Sequence, residues 1–201
     1  MTRIAAIVLA AGKSSRMGRN KLLIELDGKS LVEHAVDAAL ASQAALVIVV
    51  LGHQRHEIAQ RLAGRDIVTV ENPDYAEGLS TSLKRGLAAL PAEIEGAVIC
   101  LADMPGIGSA LLDRLIAGFD PATGREIILP LRQGRRGNPV LWGRRFFPEL
   151  LAIAGDTGAK HLIAAYPGQV AEIEAPDDGV LIDLDTPEAL AAWQSQPFTS
   201  P

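Results

Sequence analysis

Apolar residues along this chain of 201 residues fall into two rhythms. Unbroken runs rich in β-branched residues, Ile4–Leu9, Leu46–Leu51, Ile67–Val70, Ala97–Leu101 and Ile127–Leu131, predict strands covered on both faces. Between them, spacings of three and four predict helices. One carries Leu31, Ala35, Ala38 and Ala39 behind a Ser30/Glu33 capping box, and a short one covers Arg55–Leu62. Others carry Leu79, Leu83, Leu87 and Leu90, then Leu111, Leu112, Leu115, Ile116 and Phe119. Strand and helix in alternation imply a parallel sheet with right-handed crossovers. Leu22–Leu26 reads as a short extended piece turning at Asp27-Gly28-Lys29. Further on come an extended Val140–Trp142, a helix over Phe146–Leu151, and another with Thr157 as its cap. Strands are expected at Val170–Ile173 and Val180–Leu184, then a final helix capped by Thr186 with Pro187 in its first position. The expected fold class is α/β: a single three-layer domain over residues 1–193, a mostly parallel sheet flanked by helices, with 194–201 a polar, flexible tail.

Composition narrows the class. Apolar residues make up 48% and aromatics only 4%, so the core is aliphatic. A net charge of −5 argues against a general nucleic-acid binder, which needs a basic face. No apolar run approaches the roughly 18 residues that span a bilayer, and the amino terminus enters the first strand without an export signal. The single Cys100 cannot form an internal disulfide and reads as a reduced core thiol. A cytoplasmic protein without a membrane partner is expected.

The cations are local. Lys13, Arg16, Arg19 and Lys21 follow the first strand, with no acid from 10 to 24, and Gly12 and Gly18 let the backbone approach a ligand. In open α/β sheets the ligand crevice lies at the carboxyl ends of strands, so this loop is a candidate anion site. Its spacing fits neither G-x-x-x-x-G-K-[ST] nor G-x-G-x-x-G. Ser80, Thr81 and Ser82 sit near a helix amino terminus, where they serve as ordinary caps or hold a base edge or phosphate. Asp103 at the tip of the fourth strand and Asp185 near the end of the chain are oxygen donors suited to a hard cation, Asp183 being the weaker candidate. Residues 127–148 hold five arginines and no acid, a second anion site or a solvated hairpin tip. The four histidines are scattered and read as surface or structural residues.

Ala10-Ala11-Gly12-x-Ser14-x-Arg16-Met17-Gly18-x-x-Lys21 resembles the signature loop of the nucleotidyltransferases, Rossmann-like enzymes that join an NTP to a phosphorylated acceptor. The resemblance implies that Leu9, Ala10, Ala11, Gly12 and Ser14 wrap the nucleotide, and that Arg16 and Lys21 neutralise its triphosphate. It also implies that Asn72, Gly78, Ser80 and Ser82 lie beside the base, and that Asp103 and Asp185 bind the catalytic Mg2+. Arg16, Lys21 and Asp103 are thereby the catalytic candidates. Together with this loop, Gly134-Arg-Arg-Gly-Asn-Pro-Val-Leu141 and Gly155-Asp-x-Gly-Ala159 resemble the molybdenum cofactor cytidylyltransferases. That likeness implies that Arg136, Gly137, Asn138 and Asp156 face a molybdopterin-type acceptor. Ala11 and Asn20 depart from the related guanylyltransferases, and the Ala11 methyl favours CTP over a purine by ~1–3 kcal/mol. The implied partners are CTP or another NTP, the acceptor, and transiently a molybdoenzyme or its chaperone. Guanylyl transfer, another phosphate acceptor, and a non-catalytic module that hands on cofactor remain alternatives.

Overall fold

The run Ile4–Ala10 forms strand β1, and its alternate side chains enter two different cores. The computed structural model describes residues 2–14, 18, 20–155 and 158–194. Among these, further strands are β2 (Glu25–Leu26), β3 (Lys29–Ser30), β4 (Leu46–Leu51), β5 (Val68–Glu71) and β6 (Gly96–Leu101). The second half adds β7 (Ile127–Arg132), β8 (Arg135–Arg136), β9 (Val140–Gly143) and β10 (Val170–Glu174). Helices are α1 (Leu31–Leu40), α2 (Arg55–Arg61), α3 (Leu79–Ala88), α4 (Ser109–Gly118), α5 (Phe147–Ala152), α6 (Lys160–Ala165) and α7 (Pro187–Gln194).

The main sheet runs β10-β7-β9-β6-β1-β4-β5, with β8 paired to β7. β1 lies parallel to β4 and β6, β4 to β5, and β7 to β10, whereas β9 is antiparallel to both neighbours. Ile4, Ala6, Val8 and Ala10 pack with Val36 of α1, Ile58 of α2 and Leu112 of α4. Ile7 and Leu9 pack with Leu87 of α3, Leu150 of α5 and Ile163 of α6. The result is the expected three-layer, single-domain α/β fold, with a sheet apolar on both faces because helices cover both.

Two expectations change. Leu22–Leu26 is not one extended piece: Lys21–Leu23 is a single 3-10 turn, and only Glu25–Leu26 pairs, through a hairpin whose Asp27 and Gly28 both have positive φ. Val180–Leu184 is not a strand. The Asp177 carboxylate accepts from the Gly179 N–H at 2.8 Å and starts a 3-10 turn over Asp178–Leu181. The chain then crosses the crest of the sheet, burying Val180 and Leu184 without joining it. The final helix is capped as expected, the Thr186 hydroxyl accepting from Ala189 N–H at 3.2 Å, and it packs on the hairpin through Leu190, Leu184 and Leu26.

Two polar features carry predictions. Arg65 holds Asp37 at 2.7 Å and Glu33 at 3.2 Å, while Glu33 also accepts from the Ser30 N–H at 2.9 Å. Burial alone would raise both carboxyl groups. The Ser30 and Arg65 bonds on Glu33, and those of Arg65 and Lys29 on Asp37, outweigh it and hold both below the usual carboxylate range. Since folding depresses these pKa values, the stabilisation is complete above about pH 4 and is lost as pH falls through the folded-state values. Denaturant melts are therefore expected to show Arg65→Met losing less stability than the native chain between neutral and acid pH; equal losses would remove the cluster from acid unfolding. Cys100, buried in β6, has its thiol pushed up to about 12 by burial alone. Iodoacetamide at neutral pH should leave the folded protein unalkylated and label it only after unfolding, as read by mass spectrometry.

Candidate active site

The parallel strands β1, β4, β5 and β6 end along one edge, and the chemistry-bearing residues collect there. The Ala11 carbonyl beyond β1 accepts from His53 N–H at 3.1 Å. Gly52 permits that approach: a Cβ on it would stand 2.7 Å from the Ala11 Cβ and 2.8 Å from the Tyr75 Cβ. Ser14 has φ of 52°, and its hydroxyl accepts from the Lys21 N–H at 3.1 Å, closing the loop onto its far end. Arg16, expected on the triphosphate, lies outside the described residues, as does Asp156 on the acceptor side.

After β5, Asn72 is buried and donates through its amide to the Thr81 and Ser82 hydroxyls, each at 2.9 Å. Its Oδ1 accepts from Asp74 N–H at 3.0 Å. Asn72 and Ser82 thus brace the loop against the start of α3, and Ser80, itself buried, lines the cavity beside the site. Gly78, with φ of 115°, makes the turn between them.

Lys21, Asp103 and Asp185, separated by 82 and 164 positions, meet. The Lys21 ammonium donates to Asp103 at 2.5 Å and to Asp185 in a second, shorter contact, with side-chain exposures of 12%, 16% and 29% respectively. The carbonyl of Asp103 also accepts from Leu184 N–H at 3.0 Å, which ties the crossing segment to the tip of β6. Burial works to lower the pKa of Lys21, but the Asp103 carboxylate, joined by Asp185, prevails and holds it above the ordinary value, so the ammonium is charged. Asp183 joins the group: one carboxylate oxygen from each of Asp103, Asp183 and Asp185 lies within 4.8 Å of the others. Three hard oxygen donors at that separation fit a divalent cation such as Mg2+.

Beside this cluster opens a cavity of about 670 Å³. Leu9, Leu83, Met104, Trp142 and Ile163 give it an apolar wall; Arg135, Arg136, Lys160 and Asp183 supply charge. Gly137 and Asn138 also line it, held by Gly137 N–H to the Pro130 carbonyl at 2.9 Å and Asn138 N–H to the Val180 carbonyl at 3.0 Å. The arginine-rich stretch does not act as one anion site. Arg144 is bound to the Ile94 and Pro91 carbonyls, Arg145 pairs with Glu126 at 3.3 Å and covers the Phe146 ring, and Arg132 pairs with Asp178 at 2.8 Å. Arg136 faces the cavity yet bonds Glu172 at 2.7 Å. The sequence reading missed Lys160 and Arg135 as cavity residues; their signal was adjacency to the Gly155–Ala159 and Arg136–Asn138 segments.

A family model described as the MobA-like NTP transferase domain matches residues 6–170. The chain belongs to this family. As a MobA-like domain it is an enzyme of the nucleotidyltransferase kind. It is 29% identical to the molybdenum cofactor cytidylyltransferase of Escherichia coli K12, across 94% of each chain. It is also 28% identical to nicotine blue oxidoreductase of Paenarthrobacter nicotinovorans, over 93% of this chain and 94% of that one. Among solved structures, Rv0371c of Mycobacterium tuberculosis H37Rv in complex with manganese superposes with a TM-score of 0.79 at 27% identity. That superposition covers 98% of this MobA-like chain and 100% of the other.

Proposed function

We propose that this MobA-like enzyme transfers CMP from CTP to the phosphate of a molybdopterin-type acceptor, releasing pyrophosphate, with Mg2+ as its metal. The observation that carries the reading is the convergence of Lys21, Asp103 and Asp185 at the carboxyl edge of β1 and β6, between the glycine-bearing loop and the cavity. The choice of CTP and of a pterin acceptor rests on the end-to-end likeness to the E. coli cytidylyltransferase and on the Ala11 methyl at the loop.

The acceptor phosphate attacks the α-phosphorus of the NTP, forming a P–O bond in line as the bond to pyrophosphate breaks. A phosphomonoester has a second pKa near ~6, so at neutral pH the nucleophile is mostly dianionic and needs no general base. The protein's task is charge control and alignment. Backbone N–H groups of residues 11–14 and the Lys21 ammonium meet the triphosphate, and Arg135 and Lys160 offset the acceptor's charge. The apolar wall of Leu9, Met104 and Trp142 takes a flat ring body and excludes water. Asp103 and Asp185, with Asp183 near, would hold Mg2+, which when bound supplies positive charge to the phosphate oxygens of both reactants.

Purified protein incubated with molybdopterin bearing molybdenum, Mg2+ and each NTP in turn should release pyrophosphate with CTP and yield the cytosine dinucleotide by mass spectrometry. Turnover with GTP alone would overturn the base assignment. Turnover only with other phosphate acceptors would overturn the pterin.

A further inference from the structure

We infer that Lys21 is an exchangeable counter-ion for the Asp103–Asp185 pair, so that metal and triphosphate bind as coupled ligands, the triphosphate drawing the ammonium away from the carboxylates. The inference deepens the transferase reading above and rests on it.

One ammonium donates to both carboxylates at once, and all three side chains are largely shielded from water. A divalent cation and this ammonium cannot touch the same facing oxygens together, because like charges at that distance repel and each carboxylate offers few lone pairs in the gap. A metal ion arriving alone must therefore displace a partner that already satisfies the pair. The displaced ammonium, largely shielded from water, would lose both of these carboxylates, and a poorly compensated charge in such a place is costly.

The main chain around Lys21 is held by bonds of its own, separate from those that the ammonium makes to the carboxylates. Lys21 N–H is bound to Ser14, its carbonyl accepts from Ile24 N–H at 3.0 Å, Asn20 caps the turn by accepting from Leu22 N–H at 3.1 Å, and Leu22 is buried in the core. Exchange is thus a pivot of a four-carbon stem about a fixed Cα. The Lys21 N–H donates to the Ser14 hydroxyl, in the loop whose N–H groups would receive the triphosphate, so a second anionic partner lies within the reach of the stem. Arrival of the triphosphate gives the ammonium an alternative and draws it from Asp103 and Asp185 together. By linkage, each ligand strengthens the other by the same factor.

The test is Mn2+ binding to the full chain without nucleotide, read from the loss of the free-ion electron paramagnetic resonance signal. Lys21→Gln should bind Mn2+ more tightly than the native chain by about 5- to 150-fold, the usual span of coupling between two sites. Lys13→Gln, which removes a cation from the same loop without a carboxylate contact, should change the affinity by about twofold or less, as for a screened surface charge. Equal Mn2+ affinity in Lys21→Gln and the native chain overturns the inference, as does an equal gain in both variants. Should Lys21→Gln not fold, the native protein decides. With lysine side chains labelled with nitrogen-15, metal-free CTP in chelator should shift the Lys21 ammonium resonance, and an unmoved resonance under CTP that perturbs loop amides overturns the exchange. The metal-only arm needs no nucleotide, so a protein that binds no NTP refutes the transferase reading while Lys21→Gln still reports on the counter-ion.

Discussion

Asp103→Asn is expected to lower nucleotidyl transfer by at least about 100-fold, a loss no smaller than the 10- to 100-fold seen when outer partners of a metal site are removed. Three structural facts set that size. Asp103 stands just past the end of β6, the middle strand of the sheet path, its carboxylate holds the Lys21 ammonium, and it is the more shielded of the two carboxylates in that contact, at 16% exposure against 29% for Asp185. The amide keeps the volume and leaves the Asp103 carbonyl free to hold Leu184, so the crossing segment stays in place. Lys21 retains Asp185, which spares the fold from a fully orphaned charge. Initial rates of pyrophosphate release, with circular dichroism to confirm folding, check the result. Activity within about tenfold of native would take Asp103 out of the reaction, since the metal's outer partners alone are worth that much.

The second large effect is on stability. Phe146→Ala should cost about 3–5 kcal/mol, as large aromatic-to-alanine changes in cores do. Phe146 is 1% exposed and meets Trp142 edge-on at 6.0 Å and Tyr166 at 5.1 Å between centroids, with the Arg145 guanidinium 4.6 Å above its ring. For a chain of this size about 2–4 °C accompanies each kcal/mol, so the melting temperature should fall by about 6–20 °C. Because Trp142 is both a neighbour of Phe146 and a wall of the cavity, the surviving folded fraction should also bind acceptor less well. A drop below about 3 °C would mean that the ring is not a keystone of this layer.

The first half of the chain was readable because its strands obey one rule. Ile4–Ala10, Leu46–Leu51 and Gly96–Leu101 lie under helices on both faces, so nearly every position is apolar and no alternation confuses the pattern. Val180–Leu184 looked the same and is different. Val180 and Leu184 are buried by crossing over strand ends, and what separates the two cases is the local bond from Gly179 N–H to the Asp177 carboxylate, a turn signal too short to outweigh four apolar letters. At the site, Asp103 just past the end of β6 and Asp185 were legible as candidate oxygen donors, although no strand precedes Asp185. Their meeting was not: Lys21 reaches partners 82 and 164 residues away, and no local pattern encodes that convergence. The arginines of 132–145 failed for the converse reason. A run of cations in sequence does not say which of them are already paired: Arg135 and Arg136 line the cavity, while Arg144 and Arg145, on the 3-10 turn after β9, brace backbone carbonyls and Glu126.

The reversed direction of β9 has a consequence for how such a molecule can diversify. Because this strand descends where its neighbours rise, the turn that precedes it, residues 133–139, is delivered to the same rim as the loops of β1 and β6 by one detachable hairpin. Replacement of that hairpin and the short helices behind it would recut one wall of the chamber while β1, β4, β5 and β6 keep their register. A scaffold partitioned in this way can change what it accepts without relearning how to hold what it donates.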